Sequence, residues 1–173
     1  MTMVNEARVK VDEKVDMKNL YQDVLESYKP CLQGIDVQVD YGDEMEVQGG
    51  VEQYSSVFDN FVSNSVKAME GRSDSKLSIK FWKENVAGVD YLCFEQTDNG
   101  RGIPEKDIKD IGYKPFKTDD PTQIGRGLGW VAAKLTLGLY GGEAHIESKE
   151  GEWTKVTGKI PYEQKNGNVQ QRD

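Results

Sequence analysis

The sequence predicts a protein of the α/β (α+β) class, with helices and strands mixed along one chain. Residues 35–40 and 77–81 alternate apolar and polar side chains, which is the pattern of half-buried strands. Residues 51–70 instead place apolar side chains every three or four positions, which is the pattern of an amphipathic helix. The length of 173 residues suits one domain with a substantial core.

Composition narrows the range of possible functions. Hydrophobic residues make up 36% of the chain and charged residues 30%, as in globular proteins. The formal net charge of −8 argues against binding to nucleic acid or to an anionic membrane. No apolar run approaches the roughly 20 residues that span a bilayer, and no signal peptide opens the chain. We therefore expect a cytoplasmic domain without direct membrane contact, which leaves open an anchor elsewhere in a longer protein.

Caps and turn residues bound the predicted elements. Residues 1–15 are polar and charged, and we expect a linker or the end of a helix from a preceding domain. Asp16 is a plausible N-cap for the first helix. The domain is expected to span residues 16–162, followed by a disordered polar tail over residues 163–173. In order, the elements are a helix over 16–28, strands over 35–40 and 45–47, a helix over 51–70, strands over 77–81 and 91–97, a short helix over 104–108, a helix over 128–140, and two strands around 144–146 and 156–160.

The last helix and the cysteines give two further expectations. Apolar residues of the helix over 128–140 share one face, which we take to be the face of an amphipathic helix. These residues are Leu128, Val131, Ala132, Leu135 and Leu139. Cys31 and Cys93 lie far apart without metal-binding spacing, so we expect two reduced thiols in the core.

Polar residues form a second stripe on the helix over 51–70. Asn60, Asn64 and Lys67 follow one another at i, i+4 and i+7, beside the apolar stripe. Asparagine is a poor residue for a helix interior, because its side chain competes for backbone hydrogen bonds. The stripe therefore indicates a functional face, with a solvated helix face as the alternative.

Two glycine-rich motifs accompany this helix. Residues 98–103 read D-N-G-R-G-I and follow an apolar strand, so that Asp98 stands at the strand's end. Residues 125–129 read G-R-G-L-G and lead into a helix N-terminus, where free N–H groups and the helix dipole favour phosphate.

In this order and spacing, the three motifs resemble the N, G1 and G2 boxes of the GHKL superfamily, which holds gyrase, Hsp90, histidine kinases and MutL. Within the superfamily, residues 16–162 are most similar to the catalytic ATP-binding domain of sensor histidine kinases. The resemblance implies a two-layer sandwich of the Bergerat type, with a mixed sheet, helices on one face and an ATP lid. The lid would be residues 112–127, in which residues 114–118, K-P-F-K-T, resemble the F box.

The resemblance implies ATP and Mg²⁺ as cofactors and gives individual residues their roles. Asp98 would accept a hydrogen bond from the adenine amino group and reject guanine, Asn64 would hold Mg²⁺, and Lys67 would meet the phosphates. Asn60 stands where the family's ATPases carry glutamate. Since asparagine cannot act as a general base, phosphoryl transfer is favoured over hydrolysis. The other nucleotide contacts are expected from Gly100, Gly102, Ile103, Lys117, Thr118, Gly125, Arg126, Gly127, Leu128 and Gly129.

Some positions depart from the family pattern. Ala68 stands where many histidine kinases place an aromatic ring on adenine, Arg126 replaces a small hydroxyl residue, and Trp130 replaces a common leucine. His145 is the only histidine, and its parity in the strand makes it an exposed residue rather than a phosphoacceptor.

The predicted function is γ-phosphoryl donation to a histidine on a separate dimerisation domain, with a response regulator as the next partner. Two alternatives stay open. One is a serine kinase of the anti-sigma type, and the other is a non-catalytic module in which ATP orders the lid for a partner.

Overall fold

The structure, a computed structural model, describes residues 13–111 and 128–163 and shows there a five-stranded sheet with helices on one face. Its strands are β2 (Asp36–Asp40), β4 (Lys76–Val86), β5 (Val89–Asp98), β6 (Glu143–Lys149) and β7 (Trp153–Pro161). They lie in the spatial order β2-β4-β5-β7-β6. In this sheet β2 and β4 pair in parallel, and the other neighbours are antiparallel. The mixed sheet confirms the predicted fold class.

The helical layer contains three long helices and one short one. They are α1 (Met17–Ser27), α2 (Val51–Met69), α3 (Glu105–Ile108) and α4 (Leu128–Leu139). The predicted N-cap of α1 is confirmed, because the Asp16 carboxylate accepts a hydrogen bond from the backbone N–H of Asn19 at 3.0 Å. No helix in the described ranges has both the length and the apolar composition that crossing a bilayer requires.

Aromatic packing joins the two layers. Phe58 on α2 contacts Tyr21 on α1 and both Phe81 and Phe94 on the sheet, with ring centroids 5.1–6.0 Å apart. These edge and tilted arrangements add to the stabilisation from buried area. The predicted apolar stripe of α2 is buried throughout. The opposite face of the sheet carries lysines over aromatic rings, such as Lys159 over Tyr91 at 4.9 Å.

A strand that the sequence did not predict opens the described chain. β1 (Lys14–Asp16) pairs antiparallel with β3 (Glu46–Gln48), and Val15 is buried in the core. Residues 14 and 15 therefore belong to the folded domain, not to a linker or a helix remnant. A three-residue strand is too short for an alternation pattern to show, so only its pairing reveals it.

The apolar face predicted for α4 is the wrong one. Leu128, Leu135 and Leu139 are 58%, 67% and 69% exposed, while Trp130 and Tyr140 are buried. The buried face, completed by Ala133 and Leu137, packs on α2. Because α4 is apolar nearly all round, periodicity could not choose between its faces. The two aromatic rings decide it, since they bury more area than leucine does.

The two cysteines differ in environment, and both are free thiols. Cys93 is buried in β5 as predicted, and burial together with the Glu84 carboxylate raises the pKa of its thiol to about 11. Cys31 is exposed in the turn after α1, so the prediction of a core position is wrong for it. Pro30 immediately before it cannot continue the helix, which keeps Cys31 off the apolar face of α1.

Candidate functional site

The three predicted motifs converge on α2. The Ser65 hydroxyl donates to the Asp98 carboxylate at the end of β5, with Oγ and Oδ2 2.6 Å apart. One turn further on, the Ala68 carbonyl accepts a hydrogen bond from the backbone N–H of Arg101 at 2.9 Å. Both contacts hold the turn after β5 against the C-terminal half of α2.

The glycine-rich motif that ends at Gly129 meets α2 at the side chain of Asn60. The side-chain amide of Asn60 lies directly against Gly129 in the first turn of α4, so closely that a Cβ at Gly129 would overlap it. A residue larger than glycine would fit there only if the Asn60 side chain moved. The N-terminal end of α4 and the stripe of α2 thus form one site with the turn after β5.

Asp98 is a buried carboxylate, 3% exposed, whose two oxygens already accept hydrogen bonds. Oδ2 accepts from Ser65, and Oδ1 accepts from the backbone N–H of Gly100 at 3.0 Å. Burial raises the pKa of Asp98 above its ordinary value, and the two hydrogen bonds oppose this. Since the folded-state pKa exceeds the unfolded one, ionised Asp98 costs folding stability above that pKa, and acid relieves the cost. Buried and perturbed carboxyls of this kind mark functional sites.

The glycines of residues 98–103 are required by packing within the protein. A Cβ at Gly100 would lie 2.7 Å from the Ala68 side chain and carbonyl. Gly102 has a φ of +64° and lies against the Lys149 backbone, where a Cβ would overlap the carbonyl oxygen. The next residue, Ile103, donates its N–H to Ser148 Oγ at 2.8 Å. That these residues contact a nucleotide stays a prediction.

The polar stripe of α2 is arranged as the sequence predicted. Asn60 is half-buried, whereas Asn64 and Lys67 are exposed. Asn64 donates its Nδ2 to Asn60 Oδ1 at 3.2 Å, which leaves the Asn64 carbonyl oxygen for another partner. A side-chain carbonyl is an oxygen ligand of the kind that Mg²⁺ takes. Within the described ranges, no group of three or more His, Cys, Asp or Glu side chains could hold a metal. A metal at Asn64 would therefore take most ligands from phosphate and water.

Several predicted contacts lie outside the described residues, and others are accounted for within them. Trp130 packs on Phe61 with ring centroids 5.7 Å apart, so its replacement of leucine serves the core. His145 is exposed on β6, 3.5 Å from a Glu143 carboxylate oxygen, which confirms its predicted exposure. Leu128 is exposed at the start of α4. The contacts outside the described ranges are Lys117, Thr118, Gly125, Arg126 and Gly127.

Sequence reasoning missed the polar residues buried behind Asp98. Neither Ser65 nor Gln96 is among the predicted site residues, and both are buried. Gln96 donates its Nε2 to Ser65 Oγ at 2.9 Å and accepts a hydrogen bond from Tyr21 Oη at 2.8 Å. A signal was present, because Gln96 shares the buried parity of Leu92 and Phe94 in β5.

Comparison with known proteins agrees with this geometry. Residues 49–164 match the family model of histidine kinase-, DNA gyrase B-, and HSP90-like ATPases. The chain is 27% identical over 124 residues to the sensor histidine kinase WalK of Bacillus subtilis, covering 70% of this chain and 20% of WalK. It is 29% identical over 158 residues to sporulation kinase D of the same organism, covering 86% of this chain and 29% of that kinase.

Solved structures share the fold at low sequence identity. The catalytic domain of the histidine kinase ThkA superposes with a TM-score of 0.70 at 20% identity, covering 87% of this chain and 95% of that one. The mycobacterial sensor histidine kinase MprB gives a TM-score of 0.73 at 18% identity, covering 88% and 99%. The chain spans only 20% to 42% of the length of the three relatives that head the sequence comparison.

Proposed function

Because this chain belongs to the family of histidine kinase-, DNA gyrase B-, and HSP90-like ATPases, we propose that it is the catalytic ATP-binding domain of a sensor histidine kinase. In this role it binds Mg·ATP and passes the γ-phosphoryl group to a histidine on a separate domain. The observation that carries the proposal is the buried Asp98 carboxylate beside the polar stripe of α2. The proposed base-reading carboxylate at the end of β5 thus lies against α2, the helix that carries the stripe proposed to meet the phosphates.

Asp98 reads the base. Each of its oxygens accepts one hydrogen bond from the protein, so a lone pair remains on each. The adenine amino group is a donor and can use one of them. Guanine presents a carbonyl oxygen at the equivalent position, which an ionised carboxylate repels. Adenine is therefore favoured as long as Asp98 is ionised.

The polar stripe handles the phosphates. Asn64 supplies a carbonyl oxygen to Mg²⁺, and Lys67 supplies positive charge to the phosphates. When bound, the metal neutralises charge on the phosphate oxygens. Asn60 has no proton-accepting function at neutral pH, so it orients the reacting phosphate and does not activate water. Phosphoryl transfer depends mainly on such positioning and charge neutralisation.

The acceptor histidine must come from another domain. The only histidine, His145, lies on the sheet face opposite the helices, away from α2. The site that binds ATP is cytoplasmic in this proposal, since that is where ATP is available. A dimerisation domain with the acceptor histidine and a response regulator are the partners. The exposed leucines of α4 form a docking face for the acceptor domain. The first turn of α4 lies against Asn60, where the reacting phosphate is proposed to lie, so an acceptor docked on α4 would be close to it.

Transfer of radiolabel tests the proposed function directly. The chain is incubated with γ-labelled ATP, Mg²⁺ and a histidine-bearing helical hairpin domain of a sensor kinase. We expect label on the hairpin domain that is lost in acid and stable in base. Acid-stable label would indicate a serine kinase instead. Nucleotide binding without any labelled acceptor would support the non-catalytic module.

A glutamate on the exposed face of α4 should block transfer without affecting nucleotide binding. Leu135→Glu places a charge in the middle of the apolar docking face, where it would be desolvated by the acceptor. We expect transfer to the acceptor to fall about tenfold or more, while ADP affinity stays within twofold of wild type. Val86→Glu, in the hairpin between β4 and β5, is the matched control because Val86 is also exposed. Equal transfer rates for the two variants would contradict this docking face.

A further inference from the structure

We infer that Tyr21, Gln96 and Ser65 form a buried hydrogen-bonded chain that positions the Asp98 carboxylate for adenine. The inference rests on the proposed ATP-binding function. It makes these three side chains positioning residues, because none of them needs to touch the nucleotide. The hydrogen-bonded chain runs from Tyr21 on α1 to Gln96 near the end of β5, then to Ser65 on α2, and ends at Asp98, the last residue of β5.

The geometry of the chain is continuous. Tyr21 Oη lies 2.8 Å from Gln96 Oε1, and Gln96 Nε2 lies 2.9 Å from Ser65 Oγ. Gln96 Nε2 also donates to the backbone carbonyl of Phe61 at 2.9 Å. Ser65 Oγ then lies 2.6 Å from Asp98 Oδ2. All four linked side chains are at most 5% exposed.

All hydrogen bonds of this buried chain are donated in one direction, from Tyr21 towards Asp98. The Phe61 carbonyl can only accept, so it fixes the amide nitrogen of Gln96 on its own side and the amide oxygen towards Tyr21. Tyr21 must therefore donate, and burial holds the pKa of its hydroxyl well above the ordinary value, which keeps that proton in place. Gln96 donates to Ser65, whose hydroxyl has only one proton. That proton is left for Asp98.

This direction of hydrogen-bond donation favours the ionised form of Asp98 and one orientation of its carboxylate. With Ser65 donating to Oδ2 and Gly100 donating to Oδ1, both oxygens act as acceptors, as in an ionised carboxylate. The strand partners of Asp98 are Leu77 and Thr154, which carry no charge. Among the described residues, Asp98 is the only charged side chain that is buried, and Lys67 on α2, Arg101 in the turn, and Lys76 and Lys155 beside those strand partners are not buried. Within this part of the chain, hydrogen bonding and not a buried counter-ion offsets the burial that raises the pKa of Asp98.

Reversing the direction of hydrogen-bond donation is the sharpest test of this inference. In Gln96→Glu, a carboxylate of the same shape accepts from both Tyr21 and Ser65, which draws the Ser65 proton away from Asp98 and adds a like charge. We expect the Kd for ADP at pH 6 to rise about tenfold, the effect of losing one hydrogen bond to a charged group. As the pH is lowered, we also expect this variant to lose half of its ADP binding at a higher pH than wild type does. Gln33→Glu adds the same charge at an exposed glutamine and should change neither quantity.

A milder variant covers the case in which the buried glutamate prevents folding. Tyr21→Phe removes one hydroxyl and frees the Gln96 oxygen, whereas Tyr28→Phe, at the C-cap of the same helix, removes a hydroxyl that binds the surface residue Asp59. We expect only Tyr21→Phe to move the carboxyl ¹³C titration of Asp98 to higher pH and to lower the ratio of GDP to ADP dissociation constants.

The outcomes separate this inference from the proposed function. If wild type does not bind ADP, the proposed function fails. If wild type binds ADP and the Asp98 titration is unchanged in both Gln96→Glu and Tyr21→Phe, the positioning role is wrong while ATP binding stands. A loss of thermal stability with an unchanged titration likewise assigns these residues to packing alone and overturns the inference.

Discussion

Replacing Asp98 with asparagine is expected to lower the affinity for ATP by about 100-fold and to abolish the preference for adenine over guanine. Ser65, Gly100 and the adenine amino group all donate towards this side chain, so it needs an acceptor on both branches. An asparagine has one acceptor oxygen, and its NH₂ group would face one of the donors. Loss of the hydrogen bond from adenine to a charged group costs about 1.5–3 kcal/mol of binding free energy, which by itself corresponds to a loss of affinity on the order of 100-fold.

Calorimetric titration with ADP and GDP measures this effect. Asp43→Asn, at an exposed carboxylate remote in sequence from the three motifs, is the matched control and should bind ADP as wild type does. Circular dichroism of both variants shows whether the fold is kept. An Asp98→Asn protein that is folded and binds ADP with wild-type affinity would remove the basis for the base-reading role.

Asn60 and Asn64 are expected to fail in different ways when each is replaced with alanine. Asn64→Ala removes the proposed metal ligand, so the gain in ATP affinity that Mg²⁺ provides should disappear. Asn60→Ala should leave ADP affinity within a few-fold of wild type and lower phosphoryl transfer about 100-fold, since an interaction made mainly in the transition state affects the rate. The 3.2 Å hydrogen bond between the two amides predicts partial coupling of these effects.

Binding with and without Mg²⁺, followed by single-turnover transfer to the acceptor domain, separates the two variants. Ser56→Ala is the matched control, because Ser56 is exposed on the same helix. Asn60→Glu adds a further readout, since a carboxylate at this position can activate water, and we expect ATP hydrolysis to rise relative to transfer. If Asn60→Ala transfers the phosphoryl group at the wild-type rate, Asn60 has no catalytic role and belongs to a solvated helix face.

Local patterns alone determined most elements of the fold. The cap at Asp16, the apolar stripe of α2 and the alternation of β4 depend on neighbours a few residues apart, so the sequence shows them directly. The polar stripe of Asn60, Asn64 and Lys67 follows in the same way from helical spacing. The spacing of the three motifs, read with their resemblance to a known superfamily, also indicated which residues form the proposed site.

Only the tertiary structure decided which surfaces meet. An apolar helix such as α4 has no preferred face until its aromatic residues, Trp130 and Tyr140, find Phe61 and Tyr54 across the helix interface. The strand β1 exists only through its pairing with β3. In the buried hydrogen-bonded chain from Tyr21 to Asp98, the bond between Tyr21 and Gln96 joins residues 75 positions apart, and a hydrogen bond over that separation leaves no periodic signal. Packing and hydrogen bonding between distant segments, not local propensity, therefore fix the environment of the proposed base-reading carboxylate.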